Sequence, residues 1–485
     1  MENSYNNGIV TIGIGGAAGE GVKKAGIKIA DFLRQRGYEV YLSFEYPSLI
    51  RGGHNFARLS FSKEKIWNDH KELDVLVASN QGHADIHKPE LKEGAKVITD
   101  LPLSQISENP EIALEDINLE AGESRGELID GNTAFARGLM AAGLDYYFAY
   151  PMTPSTSILH YLAGKQTPEG LKVIQPENEI AAINMALGAS YAGKRAAVGS
   201  ATGGFALMQE AFSFSGMAEL PLVAAVSQRQ GPATGVPTHS SQSDLRFAIH
   251  AGHGEFPRIV LAPGDPEEAF TAGKDALNLA WYFRVPVIVL LDKILSEHMM
   301  TVNLETASSG MKGEPIGAWD LKNLKFPGTP GVVAKVNSYE HDEEGITADD
   351  PEEVKKLVER RFEKAERIKK EVGAQKDAVK IWGDRDAEIA AVFWGSTKGA
   401  VLEAAKHLSK PLKLVQVLWM EPFPTERVTQ ELSGKRSICI EGNHEGQLAS
   451  LIREKTGIEI GHRILKYDSM PFEPAELAGE INKRI

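Results

Sequence analysis

The sequence predicts an α/β protein made of three doubly wound α/β domains, and three observations carry that reading. Short β-branched and apolar runs alternate with stretches of helical period along most of the chain. A glycine-rich segment separates the first apolar run from the first helical one, the arrangement of a βαβ unit. The length of 485 residues allows about three domains at ~150 residues each.

Charged residues make up 25% of the chain and hydrophobic ones 42%, the balance of a soluble globular protein. A formal net charge of −13 argues against nucleic acid or an anionic membrane surface as a partner. No apolar run reaches the ~20 residues of a membrane span, and the start MENSYNNG lacks a secretory pattern. We therefore expect a cytoplasmic protein. Cys439 is the only cysteine, which excludes an internal disulfide and an iron–sulfur cluster carried by this chain alone. His250 and His253 have no carboxylate or thiol beside them and read as an ordinary pair, so no metal site is assigned.

Residues 1–120 form the first expected domain. Ile9–Ile14 reads as a strand, then Gly15, Gly16, Gly19 and Gly21 lead into a helix with Val22, Ile27, Ile29, Phe32 and Leu33 on its apolar face, and YEVYLSF follows as a second strand. Such a turn suits an anion, because helix N-terminal N–H groups point outward. Gly13-x-Gly15-x-x-Ala18 meets a dinucleotide fingerprint only in part, and Glu45 lies late for a ribose contact. Ser48, Arg51, Gly52, Gly53, His54 and Asn55 then cluster before an alternating strand, which by itself reads as a polar hairpin. LDVLVAS and AKVITD complete this domain's strands.

The second domain is expected over 121–302. A helix with small residues at Ala134, Ala136, Gly138, Ala141 and Ala142 permits close packing and leads to the strand Tyr146–Ala149. Proline stops the strand at Tyr150-Pro151, and Thr153, Ser155 and Thr156 follow, so hydroxyls gather at a strand's carboxyl end, where open α/β sheets bind ligands. On local evidence this is equally a capped helix entry. Glu179 opens the next helix, whose apolar face is Ile180, Ile183, Leu187 and Tyr191. As structure, Glu179 offsets the helix dipole by ~0.3–1 kcal/mol. SATGGFALM is a second glycine turn, and the strand LVAAVS ends at Gln228-Arg229, whose guanidinium suits a carboxylate.

Residues 303–384 are a connector containing an amphipathic helix, capped by Asp350 and striped by Val354, Leu357, Val358, Phe362, Ala365 and Ile368. Residues 385–485 alternate strands and helices again and form the third domain.

Several strings resemble one family. YPMTPST is similar to the YPITPS signature of 2-oxoacid:ferredoxin oxidoreductase α subunits, PSLIRGGH to the family's P-S-x-[I/V]-[K/R]-G-G-x motif, ENEIAA to its [E/D]-x-E-x-A-A segment, and QRQGPATGVPT to its QRxGPxTGxPT. The resemblance covers nearly the whole chain, in the order γ-like domain, pyrimidine-binding thiamine domain and transketolase C-terminal-like domain. It implies Glu179 on the aminopyrimidine of thiamine diphosphate, Tyr150, Pro151 and Thr153 beside the cofactor, Thr153, Arg229 and Thr238 (with Thr234) on the substrate, and Arg51 near substrate or coenzyme A. The implied catalytic residues are Glu179, Thr153 and Arg229. Two departures stand out: Thr202 occupies a usual glycine, and Ser241 a usual glutamate. The first domain is also shorter than the family's γ domain.

No Gly-Asp-Gly segment for a Mg²⁺-bound diphosphate occurs. The resemblance therefore implies a partner: a β subunit bringing Mg²⁺, the diphosphate site and a [4Fe-4S] cluster, in an αβ hetero-oligomer. The implied reaction oxidatively decarboxylates a 2-oxoacid with coenzyme A to acyl-CoA, CO₂ and reduced ferredoxin. A non-catalytic nucleotide- or CoA-binding subunit that inherits the thiamine motifs unused stays open, as does, more weakly, an NAD-linked dehydrogenase.

Overall fold

The computed structural model describes residues 8–47, 53–115, 117–305, 326–331, 333–342, 344–373 and 376–485. The α/β class holds throughout, as three sheets flanked by helices.

The chain opens with β1 (Val10–Ala17), α1 (Val22–Gln35), β2 (Glu39–Glu45), β3 (His54–Ser62), β4 (Leu73–Ala78), α2 (Gln81–His87), β5 (Leu91–Ile98) and α3 (Leu103–Glu108). Strands β1 and β2 do not form a simple βαβ pair. Strand β3 lies between them and is antiparallel to both. Of the glycines expected to make a turn, Gly19 and Gly21 do so at φ 96° and 92°, but Gly13, Gly15 and Gly16 lie in β1 itself: a Cβ on Gly13 would sit 2.6 Å from the Phe56 ring, and one on Gly15 would sit 3.1 Å from the His54 ring. They make room for β3. The turn that follows is closed by its own acid, since Glu20 accepts from the Ala17 N–H at 2.7 Å. The nearby Ser79 hydroxyl and this N–H lower the Glu20 carboxyl from its ordinary value. That removes the reason to place a phosphate there.

The second unit runs through β6 (Glu127–Asp130), α4 (Gly131–Ala141), β7 (Tyr146–Phe148), α5 (Thr156–Ala163), β8 (Lys172–Ile174), α6 (Glu179–Tyr191), β9 (Ala196–Ala201), α7 (Thr202–Leu207), α8 (Gln209–Met217), β10 (Leu222–Gln228), α9 (Leu245–Ile249), β11 (Ile259–Leu261), α10 (Pro266–Phe283), β12 (Pro286–Asp292), α11 (Lys293–Glu297) and β13 (Met299–Val302). Strands β9, β10 and β12 are buried along their full length, as a parallel sheet covered on both faces requires. Helices α4 and α10 touch backbone to backbone, because a Cβ on Gly138 would strike the Phe270 carbonyl and one on Gly273 the Phe135 carbonyl. The small-residue reading of α4 is thereby explained.

The last part contains α12 (Pro351–Gly373), β14 (Val379–Gly383), β15 (Ile389–Trp394), α13 (Thr397–Ala405), β16 (Lys413–Val417), β17 (Trp419–Glu421), α14 (Thr425–Leu432), β18 (Arg436–Glu441), α15 (Gln447–Thr456), β19 (His462–Leu465) and α16 (Pro474–Asn482).

The first sheet has the order β5-β4-β1-β3-β2-β13-β6, so its far edge comes from the two ends of the second unit. The second has the order β17-β11-β12-β10-β9-β7-β8, parallel except for β17, which the third unit lends to pair antiparallel with β11. The third has the order β14-β16-β15-β18-β19. Two apolar stripes need correction. Phe362 of α12 and Ile180 of α6 are exposed, while Ile368, Ile183 and Leu187 are buried as expected.

Candidate active site

The site forms where the second sheet presents the carboxyl ends of β7, β9 and β10. Beyond β7 the chain turns through Tyr150-Pro151 to Thr153-Pro154, whose peptide is cis. Two side chains take the carbonyls of this loop. Arg229, just past β10, donates Nη1 to the Thr153 carbonyl at 2.7 Å. Asn132, fully buried in the first turn of α4, donates Nδ2 to the Pro154 carbonyl at 2.9 Å and to Ser157 Oγ at 2.8 Å. Burial lowers the Arg229 guanidinium from its ordinary value. Only one of the Arg229 donors is committed by that bond, which leaves geometry for an anion on the others.

Glu179 opens α6 after the cap Asn178, whose side chain accepts from the Ala181 N–H at 2.8 Å. Its side chain is 3% exposed, and Oε1 is buried without a hydrogen-bond partner among the described residues. The glycine turn expected at SATGGFALM is instead the first turn of α7, and a Cβ on Gly204 there would come within 2.6 Å of that oxygen, so the glycine leaves room for the carboxylate. Ser200 lies against the same glycine and donates to Met152 Sδ at 3.8 Å, which joins Glu179 to the Thr153 loop. A buried carboxylate oxygen with nothing to accept from costs ~1–3 kcal/mol. It is a feature that a bound donor would satisfy.

The two departures from the family pattern have local partners. Thr202 donates to Asp244 Oδ2 at 2.8 Å. Burial raises the Asp244 carboxyl above its ordinary value, with the Thr202 hydroxyl opposing. Ser241 bonds Ser243 at 2.9 Å, and between them Gln242 is buried and ties the site to the third unit through the Trp394 carbonyl (2.9 Å), Thr397 Oγ1 (2.7 Å) and the Gly442 N–H (2.8 Å).

Thr153 and Thr238 face a cleft between the first and second sheets. One compartment, of about 320 Å³, is lined by Thr153, Pro154, Ser157, Asp130, Lys23 and Glu297. The other, of about 260 Å³, is lined by Thr238, His239, Lys293, His298, His54 and His87. Phe44, Glu45, Tyr46 and Phe56 border both. The wall is pinned by Lys293 Nζ donating to the Phe44 carbonyl at 2.6 Å and by Tyr46 donating to Glu297 at 2.8 Å. Burial pushes Lys293 below and Tyr46 above their ordinary values.

Among the residues expected from sequence, Thr153, Arg229 and Glu179 are thus gathered around one loop, and Thr238 lies in the adjoining compartment. Tyr150 is exposed on the loop, Pro151 is half-buried beside it, and Thr234 is exposed in a separate turn. Arg51, with Ser48 and Gly52, lies outside the described residues. Asn132 escaped the sequence reading although it sits at a helix start, where a buried amide has backbone partners to find. His83 and His87 of α2 escaped it too, despite their i, i+4 spacing, whereas His54 at the start of β3 was read as part of a polar hairpin.

The chain is similar to known proteins along most of its length. Residues 137–360 match the family described as pyruvate flavodoxin/ferredoxin oxidoreductase, thiamine diphosphate-binding, and residues 11–137 match that described as pyruvate ferredoxin/flavodoxin oxidoreductase. That defines the class. A 2-oxoacid:ferredoxin oxidoreductase subunit alpha from Saccharolobus solfataricus is 38% identical over 71% of this chain and 59% of its own length, so the chain spans about three fifths of that relative. A 2-oxoglutarate synthase subunit KorA from Methanothermobacter marburgensis is 32% identical over 66% of this chain and 88% of its own. Among solved structures, 2-oxoglutarate:ferredoxin oxidoreductase from Magnetococcus marinus, with 2-oxoglutarate, coenzyme A and succinyl-CoA bound, superposes with a TM-score of 0.86 at 25% identity, covering 98% of this chain and 99% of that one. The chain belongs to the 2-oxoacid:ferredoxin oxidoreductase alpha-subunit family.

Proposed function

We propose that this chain, with a partner β subunit, oxidatively decarboxylates a 2-oxoacid in the presence of coenzyme A, giving acyl-CoA, CO₂ and reduced ferredoxin. Its working units are residues 1–120, 121–302 and 385–485, joined by 303–384. The observation that carries the reading is the Glu179 carboxylate oxygen, buried and unpartnered beside the loop that Arg229 and Asn132 hold.

That oxygen fits thiamine diphosphate, whose aminopyrimidine offers a ring nitrogen able to share a proton. When bound, the cofactor supplies a nucleophilic carbon and an electron sink for loss of CO₂. Glu179 holds the shared proton at its Oε1. Tyr150 and Pro151 flank the cofactor, the Thr153 hydroxyl orients the 2-oxoacid, and Arg229 binds its carboxylate through the donors that Thr153 leaves unused. Thr238 and Arg51 guide substrate or coenzyme A from the cleft.

The partner brings Mg²⁺, the diphosphate site and a [4Fe-4S] cluster, because this chain has one cysteine and no Gly-Asp-Gly segment. Support for its docking face comes from Ile180, Met185, Leu207, Ile174 and Tyr150, which are exposed around the Glu179 helix and the site loop. Among the described residues no helix is long and apolar enough to cross a membrane.

The test is purification from the native host, followed by iron and thiamine analysis and acceptor reduction with a panel of 2-oxoacids and coenzyme A. The expected result is a second chain carrying iron, with reduction that needs coenzyme A and one acid. Glu179→Gln should assemble normally and lose turnover. Unchanged turnover in that variant would sink the reading.

A further inference from the structure

Beside Glu179 lies one buried hydroxyl that the reaction as described leaves unused. Strand β9 sends its side chains alternately to the two faces of the sheet. Ala196 and Val198 pack in the core that α6 closes with Ala182 and Ile183, whereas Ala197 packs in the core on the other face. Ser200 continues the row of Ala196 and Val198, so it stands at the carboxyl end of the strand on the face over which α6 lies, and Glu179 opens that helix. Ser200 is 1% exposed. Burying a hydroxyl costs ~1–3 kcal/mol where no hydrogen bond compensates it, so a serine at the end of an apolar row calls for a good acceptor.

The acceptor it has is a poor one. Among the described residues the one hydrogen bond from Ser200 Oγ goes to Met152 Sδ, at 3.8 Å, and a thioether sulfur accepts weakly. Met152 does not depend on that bond to keep its place. Its carbonyl accepts from the Ser155 N–H at 2.9 Å and from Ser155 Oγ at 3.0 Å, which close the turn from within the loop.

A better acceptor lies alongside. A Cβ on Gly204 would overlap Ser200 Oγ and would come within 2.6 Å of Glu179 Oε1, so both oxygens flank the same glycine. Glu179 Oε1 has no hydrogen-bond partner among the described residues. A donor spent on sulfur and a carboxylate oxygen without a donor therefore stand side by side, and serine rotates between staggered wells about a single bond.

We propose that Ser200 is a positioning residue for Glu179: when the aminopyrimidine of thiamine diphosphate seats on the carboxylate, the Ser200 hydroxyl turns from Met152 Sδ to Glu179 and holds the carboxylate in line with the ring. The inference rests on the proposed function. A carboxylate has about four lone-pair sites on its two oxygens, so Glu179 accepts from Ser200 and still shares its proton with the cofactor. The shared proton fixes the plane of the carboxylate and gives the hydroxyl a charged acceptor, with a hydrogen bond about twice as strong as a neutral one. The turn also releases the side chain next to Thr153, so the loop that meets the 2-oxoacid registers that the cofactor is in place.

The test uses the complex with its partner, stripped of thiamine diphosphate and Mg²⁺ and titrated with both. Ser200→Ala should weaken thiamine diphosphate binding on the order of tenfold, the loss of one hydrogen bond to a charged group. It should also change the near-ultraviolet circular dichroism that loading adds, which reports the proton on the aminopyrimidine. Made in Glu179→Gln, the same substitution should shift affinity by no more than about twofold, because residues that act through one contact lose it once. A further tenfold loss in that background would overturn the proposal, as would unchanged affinity and dichroism in Ser200→Ala. Met152→Leu removes the sulfur and keeps the Ser200 hydroxyl, so it should leave the dichroism of the loaded cofactor as it is. The Ser200→Ala change appearing in Met152→Leu would place the effect in the loop and overturn the proposal too. Unaltered affinity and dichroism in Glu179→Gln alone would instead overturn the function beneath it.

Discussion

In the function proposed above, Glu179 trades stability for chemistry. Its unpartnered oxygen costs the folded chain ~1–3 kcal/mol, and Glu179→Met should therefore raise the stability of the isolated chain by about 1 kcal/mol in thermal denaturation while abolishing turnover in the complex. Asn132→Ala should do the opposite. It strips donors from Pro154 and Ser157, so a loss of ~1–3 kcal/mol is expected, together with a higher KM for the 2-oxoacid as the Thr153 loop loosens. Asp244 gives a pH test. Its folded value is raised above the ordinary 3.8 by burial, so the folded state holds the proton more tightly, and the stability this contributes is present below that pH and lost as pH rises through the raised value. Asp244→Asn, which keeps an acceptor for Thr202, should flatten that decline and leave acid stability alone. At this scale the sequence was most legible where a motif names a residue type. Asn132 was not legible, because its role depends on a carbonyl 22 residues away.

Elements were legible wherever their period was local. The strand from Leu222 and the helix from Pro351 follow from alternation and amphipathicity. Asp350 accepts from the Glu352 and Glu353 N–H groups at 3.0 and 3.1 Å, and Asp350→Ala should cost about 1 kcal/mol in urea unfolding. Phe362 fooled the stripe because α12 is held partly by charge: Arg361 pairs with Glu340, and Lys364 with Glu219. A helix pinned by ions can spare an apolar position. The glycines of β1 misled for a different reason. Glycine marks close approach as readily as a turn, and what approaches here is Phe56, more than 40 residues on, a pairing no local window contains.

The whole molecule is sewn together by strands lent between units and by one buried charge cluster. Lys398, 2% exposed, pairs with Asp265 and lies 2.6 Å from Glu268, which Lys380 also meets at 2.9 Å, and it packs by Trp67 and Trp382. Burial alone would raise Glu268, but the two lysines hold it well below its ordinary value. Its contribution is thus present above the ordinary carboxyl range and lost as acid titrates it. Lys398→Met should cost ~3–5 kcal/mol by stranding the two carboxylates, measured as a lowered denaturation midpoint. The order of the first two family segments was readable from motifs, but the interlocking of the sheets was not, since β6, β13 and β17 are four residues or fewer and pair far from their neighbours in sequence.

The lent strands also bear on synthesis. Strand β2 reaches its neighbour β13 through pairs such as Tyr41 with Met300, and the Val40 N–H is 261 residues from the Thr301 hydroxyl that accepts it. A nascent chain emerging from the ribosome must therefore carry β2 as a bare sheet edge until more than half of the protein has been made. Such an edge is a template for pairing with other chains, so slow translation or a stall before Met299 should favour aggregation over refolding, and a chaperone that caps open edges should matter most in that interval.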